Sequence, residues 1–184
     1  MKRNMKRNPI ILVTLLFAVL FSACDKTETF EDQWQIDNEA QFSTISGNSQ
    51  YVKINSQSGN GFIMVKKLVS GDGATPYFNS QVKVRYTGWY KKVWSKPDTY
   101  TDDKGNIIQN KKIFDSTQNN NIPRTFYVNG VVDGFSTALQ HMKVGDKWEV
   151  WMPWNLGYGS AGYSAYELKP YTTLVFEIEL VDIL

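Results

Sequence analysis

The side chains that ordinarily carry enzyme chemistry are scarce in this chain. His141 is the only histidine and Cys24 the only cysteine, so no histidine-built metal site is expected and no internal disulfide can form. His141 stands beside Met142 in a helical pattern and reads as a solvent-facing residue. Asp98, Asp102 and Asp103 lie close together, but they lack the alternating oxygen ligands and closing Glu of a calcium loop, so no metal is expected there. By residue type alone, Asp115 in Phe114-Asp115-Ser116-Thr117 reads as a turn residue accepting backbone N–H groups. Aromatic surface, in contrast, is plentiful, with six Trp, ten Tyr and ten Phe. Six of these rings, Tyr86, Trp89, Phe114, Phe135, Tyr158 and Phe176, fall in five short segments: Val82–Trp89, Phe114–Thr117, Val131–Phe135, Leu156–Gly159 and Leu174–Leu180. Together they read as an apolar pocket wrapped in a β-sheet. A water-free aromatic cup needs no nucleophile, metal or cofactor, and no cofactor is expected. It favours whichever state of a bound group is the less polar.

Such a pocket must be positioned by strands. Gln81–Tyr90 alternates Val82, Val84 and Tyr86 against Lys83, Arg85 and Thr87, as a half-buried strand does. Phe62–Val65 is a short apolar run, and Trp148–Met152 and Leu174–Val181 alternate similarly. Phe135, Leu139 and Met142 recur at helical spacing, which predicts a helix from Phe135 to Lys143 ended by Val144-Gly145-Asp146. One helix against a largely antiparallel sheet makes the class α+β. A polar turn at Asp103–Asn106 between β-forming flanks predicts an inserted hairpin within residues 91–112. Upstream, Phe30, Trp34, Asp37, Gln41 and Ile45 recur at near-helical spacing, with Phe30–Trp34 and Phe42–Ile45 as apolar pairs. They predict an amphipathic helix over 29–45 whose aromatic side packs on the main domain or, on the rival reading, on a partner. Gly47 to Gly61 reads as a loop with a short strand at Tyr51–Ile54. Trp151, Trp154 and Tyr163 are expected at the surface, available to stack on sugars or peptides.

The front of the chain has a different character. Lys2, Arg3, Lys6 and Arg7 precede an apolar stretch from Ile10 to Phe21, then Ser22-Ala23-Cys24. That stretch is short for a membrane span and matches a secretory signal. The lone Cys24 after it resembles the lipobox of bacterial lipoproteins, although Phe21 stands where a smaller aliphatic residue is usual. The resemblance implies lipidation at Cys24 and a membrane-anchored, extracytoplasmic protein; the alternative is an ordinary signal cut near Ala23. The expected organisation is a signal peptide at 1–23, a tether and helical arm at 24–60, and a domain at 61–184. Of 20 basic residues the signal takes four, leaving 16 against 18 acidic ones, which removes the main electrostatic support for nucleic-acid binding.

In this order, and with the Met142-Lys143-Val144-Gly145-Asp146-Lys147 turn between them, the five segments resemble the FKBP family of peptidyl-prolyl cis-trans isomerases. The similarity runs from about Phe62 to Leu184. It implies an FKBP-like fold, a curved antiparallel β-sheet wrapped on one short α-helix, here with an N-terminal helical arm. It also implies a pocket made of Tyr86, Phe114, Asp115, Val132, Phe135, Tyr158 and Phe176. Phe126, Val131 and Leu168 stand beside these as substrate-binding positions, although plain core packing explains Phe126 as well. The Val132 N–H would hold a substrate carbonyl and the Tyr158 hydroxyl the bound peptide. Asp115, oriented by Tyr86, would tune the electrostatics.

Three positions depart from the family pattern. Phe135 stands where the best-known members have Trp, Arg124 where many have an apolar edge residue, and Ala161–Pro170 has one proline where two are common. The resemblance implies isomerisation of Xaa-Pro bonds in proline-containing polypeptides. Alternatives are a non-catalytic chaperone or peptide-binding module on the same fold, and a glycan-binding surface lipoprotein. Many members bind macrolide immunosuppressants, a capacity that Phe135 and Arg124 leave open here.

Overall fold

The computed structural model describes residues 30–184. The signal segment and Cys24 lie outside the described residues. In chain order the elements are α1 (Phe30–Ser46), β1 (Val52–Asn55), β2 (Phe62–Val69), β3 (Gln81–Lys91), β4 (Thr99–Thr101), β5 (Ile107–Gln109), β6 (Lys111–Ser116), β7 (Arg124–Tyr127), α2 (Asp133–Leu139), β8 (Lys147–Met152) and β9 (Leu174–Ile183).

Seven strands form one antiparallel sheet in the order β1-β2-β8-β9-β3-β6, with β7 also on β3. The long strand β3 organises it. One edge pairs with β9 from Val82↔Ile183 to Trp89↔Val175. The other edge is shared: β7 takes Gln81–Val84, and β6 takes Thr87–Lys91. The strict in-out alternation of Val82, Val84, Tyr86 and Gly88 breaks at Thr87, which is buried between the last two. There β6 joins the edge, with a register shift between Gly88 and Trp89.

Each face of the sheet carries a helix. Along β2, β8 and β9, the residues Ile63, Val65, Val150 and Phe176 belong to one apolar cluster with Phe135, Ala138, Leu139 and Met142 around α2. Their neighbours Met64, Trp151 and Val175 belong to another with Phe42 and Ile45 of α1. Successive strand residues point to opposite faces, so α2 covers one face and α1 the other. The predicted arm helix is thus present and packed on the domain by Trp34, Phe42 and Ile45; the side chain of Phe30 lies outside the described residues. Trp151, expected at the surface, is 6% exposed, because α1 sits over it and Trp89 and Trp94 pack against its ring at 5.8 and 5.4 Å.

The domain helix is shorter than its apolar spacing predicts: it starts at Asp133 and ends at Leu139. Met142 is still buried, but the chain must turn back to the sheet beyond it. Asp146, itself buried, accepts the Lys143 and Gly71 N–H groups at 2.7 Å each. The Gly145 N–H meets the Leu180 carbonyl at 2.8 Å. The predicted hairpin is β4–β5, whose turn is held by the Asp102 carboxylate accepting N–H groups of Lys104 and Asn106.

Candidate functional site

A cavity of about 340 Å³ opens where β3, β6, β7, β9 and α2 converge. Tyr86 comes from β3, Phe114 and Asp115 from β6, Phe126 from β7 and Phe176 from β9. Phe135 comes from the first turn of α2, with Val131 and Val132 from the approach to it. Phe135 is buried and its ring meets Phe176 edge-on at 5.2 Å and Tyr86 at 5.7 Å. Phe114 meets Phe176 at 5.5 Å in the same edge-on manner. Edge-to-face contact sets the positive rim of one ring against the negative face of the next and fixes the rings beyond what area burial alone would do. A glycine makes this possible. A Cβ on Gly88 would lie 2.5 Å from Phe176 Cε1 and 2.7 Å from Phe114 Cζ, so any side chain there would drive the two rings apart.

At one edge the aromatic wall gives way to a polar cluster. The Tyr86 hydroxyl donates to Asp115 Oδ2 at 2.6 Å, and the Tyr166 hydroxyl donates to the same oxygen at 3.1 Å. Arg124 Nη1 donates to Asp115 Oδ1 at 2.8 Å and to the Tyr86 oxygen at 2.7 Å. The Asp115 side chain is 15% exposed and that of Arg124 49%, so the carboxylate is sunk in the wall while the guanidinium closes it from the water side. The Arg124 that departs from the family pattern therefore neutralises the one charge at the cavity edge.

The rim that continues from Asp115 and Phe114 is built from tyrosines. Tyr158 stacks on Tyr163 at 5.0 Å, and Tyr166 stands edge-on to Tyr163 at 5.1 Å. A short bridge between Tyr163 and Leu168 holds this flap. It closes at Gly162, in the left-handed region with φ +66°, where a Cβ would run into the Leu168 carbonyl. Burial, and then the charges of Tyr166 and Asp115, push the Tyr158 hydroxyl up to about 12. Burial and the hydrogen bond to Asp115 push Tyr86 higher still. Both phenols are therefore protonated donors at neutral pH. Among the described residues, no protein acceptor takes the Val132 N–H or the Tyr158 hydroxyl.

The structure brings Tyr86, Phe114, Asp115, Phe126, Val131, Val132, Phe135, Tyr158 and Phe176 to one cavity. Leu168 is the exception: it does not line the cavity but is buried in the core beneath the flap. Its backbone pairing to Tyr163 turns the side chain into the core. Two further aromatic lining residues, Tyr163 and Tyr166, are not among the predicted pocket residues, although Tyr163 is expected at the surface as a ring able to stack on sugars or peptides. Their signal is the aromatic repeat in Gly162-Tyr163-Ser164-Ala165-Tyr166, which has no strand or helix period to give it a direction. The aromatics suggested for sugars do not line up as one exposed surface. Trp151 is under α1, the Trp154 indole donates to Glu39 of α1, and Tyr163 belongs to the cavity.

The model of the family "FKBP-type peptidyl-prolyl cis-trans isomerase" matches residues 73–181. The chain is 36% identical over 122 residues to the FKBP-type 22 kDa peptidyl-prolyl cis-trans isomerase of Escherichia coli K12, covering 66% of this chain and 50% of that protein. It is 33% identical over 121 residues to the outer membrane protein MIP of Legionella longbeachae, covering 66% of this chain and 44% of that protein. The chain thus spans about half the length of the curated relatives it matches. Among solved structures, a peptidyl-prolyl cis-trans isomerase from Pseudomonas syringae pv. tomato DC3000 superposes with a TM-score of 0.64 at 27% identity, over 85% of this chain and 98% of that one.

Proposed function

Because the chain belongs to the FKBP-type peptidyl-prolyl cis-trans isomerases, we propose that it catalyses rotation about Xaa-Pro bonds in polypeptides outside the cytoplasm. The observation that carries this reading is the aromatic cavity floored by Phe135, with two unclaimed donors, the Val132 N–H and the Tyr158 hydroxyl, on its wall. Amide resonance sets a barrier of roughly 18–20 kcal/mol to this rotation, so the uncatalysed change takes tens to hundreds of seconds. Twisting the C–N bond breaks conjugation and withdraws charge from the carbonyl oxygen. Water stabilises the planar, more polar amide; a water-free cup of Phe114, Phe135, Tyr158 and Phe176 stabilises the twisted one relative to it. Proline suits such a cup because its ring is apolar and its nitrogen has no proton to satisfy. The Val132 N–H receives a substrate carbonyl, and the Tyr158 hydroxyl aligns the flanking chain. Asp115 tunes the field at the edge; no proton moves in the reaction.

Residues 1–23 act as a signal peptide in this reading, and Cys24 carries the lipid that holds the protein to a membrane. The basic n-region, the apolar stretch and the position of the only cysteine support it, as does the outer-membrane name of the Legionella relative. Two or more acyl chains give stable attachment, at ~0.8 kcal/mol for each buried methylene.

A purely peptide-binding role is the second reading. It is favoured by Arg124, whose pairing with Asp115 removes the charge that would polarise a bound amide. The deciding experiment is isomerisation of Xaa-Pro tetrapeptides by residues 25–184, with Tyr158→Ala beside it. Acceleration that drops in the variant establishes the enzyme. A folded protein that accelerates nothing but still binds the peptides moves the function to peptide holding.

A further inference from the structure

A second hollow of about 500 Å³ adjoins the aromatic cavity. Gln57, Phe78, Asn129, Asp133 and Gln140 line it, and Val131 lines both spaces. The two hollows are therefore contiguous across Val131, on the segment that leads into α2. Their chemistry differs. Where the first is aromatic, the second is made of side-chain amides, hydroxyls and one carboxylate, beside the Phe78 ring, which is 58% exposed.

The carboxylate is Asp133, and it is braced without being neutralised. Ser56 Oγ donates to it at 2.6 Å, Ser58 Oγ donates to its other oxygen, and Thr137 Oγ1 donates at 3.3 Å. Ser56 is buried, so the loop after β1 grips the carboxylate from within. Among the described residues no cation forms an ion pair with Asp133, and neither Lys nor Arg lines the hollow. An extended chain advances ~3.3 Å per residue, so a polypeptide with its proline in the first cavity reaches the second within a few residues as it passes Val131. The amides of Gln57, Asn129 and Gln140 suit the backbone of such a chain, and the lone carboxylate suits a cationic side chain on it.

We propose that this hollow is a substrate subsite: it takes residues flanking the proline, and Asp133 selects a lysine or arginine among them. The proposal rests on the isomerase reading for the identity of its ligand, a polypeptide.

The test uses octapeptides with a central Xaa-Pro bond and either Lys or Glu placed two, three or four residues to each side. Both kcat/KM and affinity by titration calorimetry are measured with the full chain in detergent. At one of these positions Lys is preferred over Glu by about threefold to fivefold, the scale of a partly exposed ion pair. The preference shrinks as salt rises, and it disappears in Asp133→Asn, whose amide oxygen accepts one serine hydroxyl while its NH2 donates to the other. Phe78→Ala removes an exposed ring, leaves the core intact and weakens binding of every octapeptide; with the salt series it decides the matter should Asp133→Asn misfold. Equal use of Lys and Glu at all positions overturns the proposal, as does a preference that survives in Asp133→Asn. Failure of the isomerase reading is separately visible: no peptide is then turned over, while the calorimetric preference still decides whether Asp133 selects a cation.

Discussion

Asp115 receives hydrogen bonds from Tyr86, Tyr166 and Arg124, and only the last carries charge. The carboxylate is therefore a fixed, screened negative end beside the cavity, held by geometry as much as by charge. Asp115→Ala removes it and frees Tyr86 and Arg124 to move. The expected loss in kcat/KM is roughly tenfold, equivalent to about 1.4 kcal/mol of transition-state stabilisation, measured on tetrapeptides; an unchanged value would assign Asp115 to structure alone. The phenols give a second expectation. Tyr158 is raised to about 12, through burial first, and a phenol with a raised folded-state value keeps its proton in the reacting protein. Isomerisation is therefore flat from neutral pH to about pH 9, with no limb near 7. For stability, the contribution of Tyr158 is whole below its ordinary value of 10.0 and is lost as pH rises towards 12. Urea midpoints recorded on either side of pH 10 check that sign.

At the scale of elements, α1 is part of the fold. Asn38 is fully buried in it, and its amide ties α1 to the connecting segments at Trp94 and Thr173. Its Oδ1 accepts the Thr173 N–H at 2.9 Å and the Trp94 indole N–H at 3.1 Å, and its Nδ2 donates to the Trp34 carbonyl at 2.8 Å. Asn38→Ala strands the buried Thr173 N–H and the part-buried Trp94 indole N–H, and each stranded group costs about 1–3 kcal/mol when buried. A loss of about 3 kcal/mol in urea unfolding is expected on that scale, with isomerase activity retained in whatever fraction remains folded. The indole of Trp34 donates to the Pro170 carbonyl at 3.0 Å, so α1 also braces the chain that leaves the tyrosine flap. The hairpin β4–β5 is a separate two-stranded sheet; it contributes no residue to the cavity.

For the molecule as a whole, the consequence is one sheet with two covered faces. Removing residues 25–46 uncovers Met64, Trp151 and Val175. Phe42 and Ile45 would no longer be buried, at about 1.5–3 kcal/mol each, and Trp34 would be lost with them. The shortened protein is expected to lose at least about 4 kcal/mol and to bind a hydrophobic dye that the longer one does not. Equal stability and no dye binding would show that α1 is an appendage.

Much of this architecture is legible in the amino-acid sequence. Alternation along Gln81–Tyr90 and Leu174–Val181 sets the strands and their buried faces, because a period of two residues fixes which side chains share a side. The arm helix and the β4–β5 hairpin follow from apolar spacing and turn chemistry in the same way. The order of short segments carries the family resemblance that implies the cavity residues Tyr86, Phe114, Asp115, Phe135 and Phe176; of these, Tyr86, Phe135 and Phe176 also sit on elements whose period gives them a direction. The tertiary structure alone decides the rest: that Arg124 closes on Asp115, that Tyr163 and Tyr166 complete the rim while Leu168 turns into the core, that Trp151 lies under α1, and that a polar hollow adjoins the aromatic one. Those outcomes depend on which loops and helices meet across long sequence separations, and irregular segments have no period from which to read the direction of a side chain.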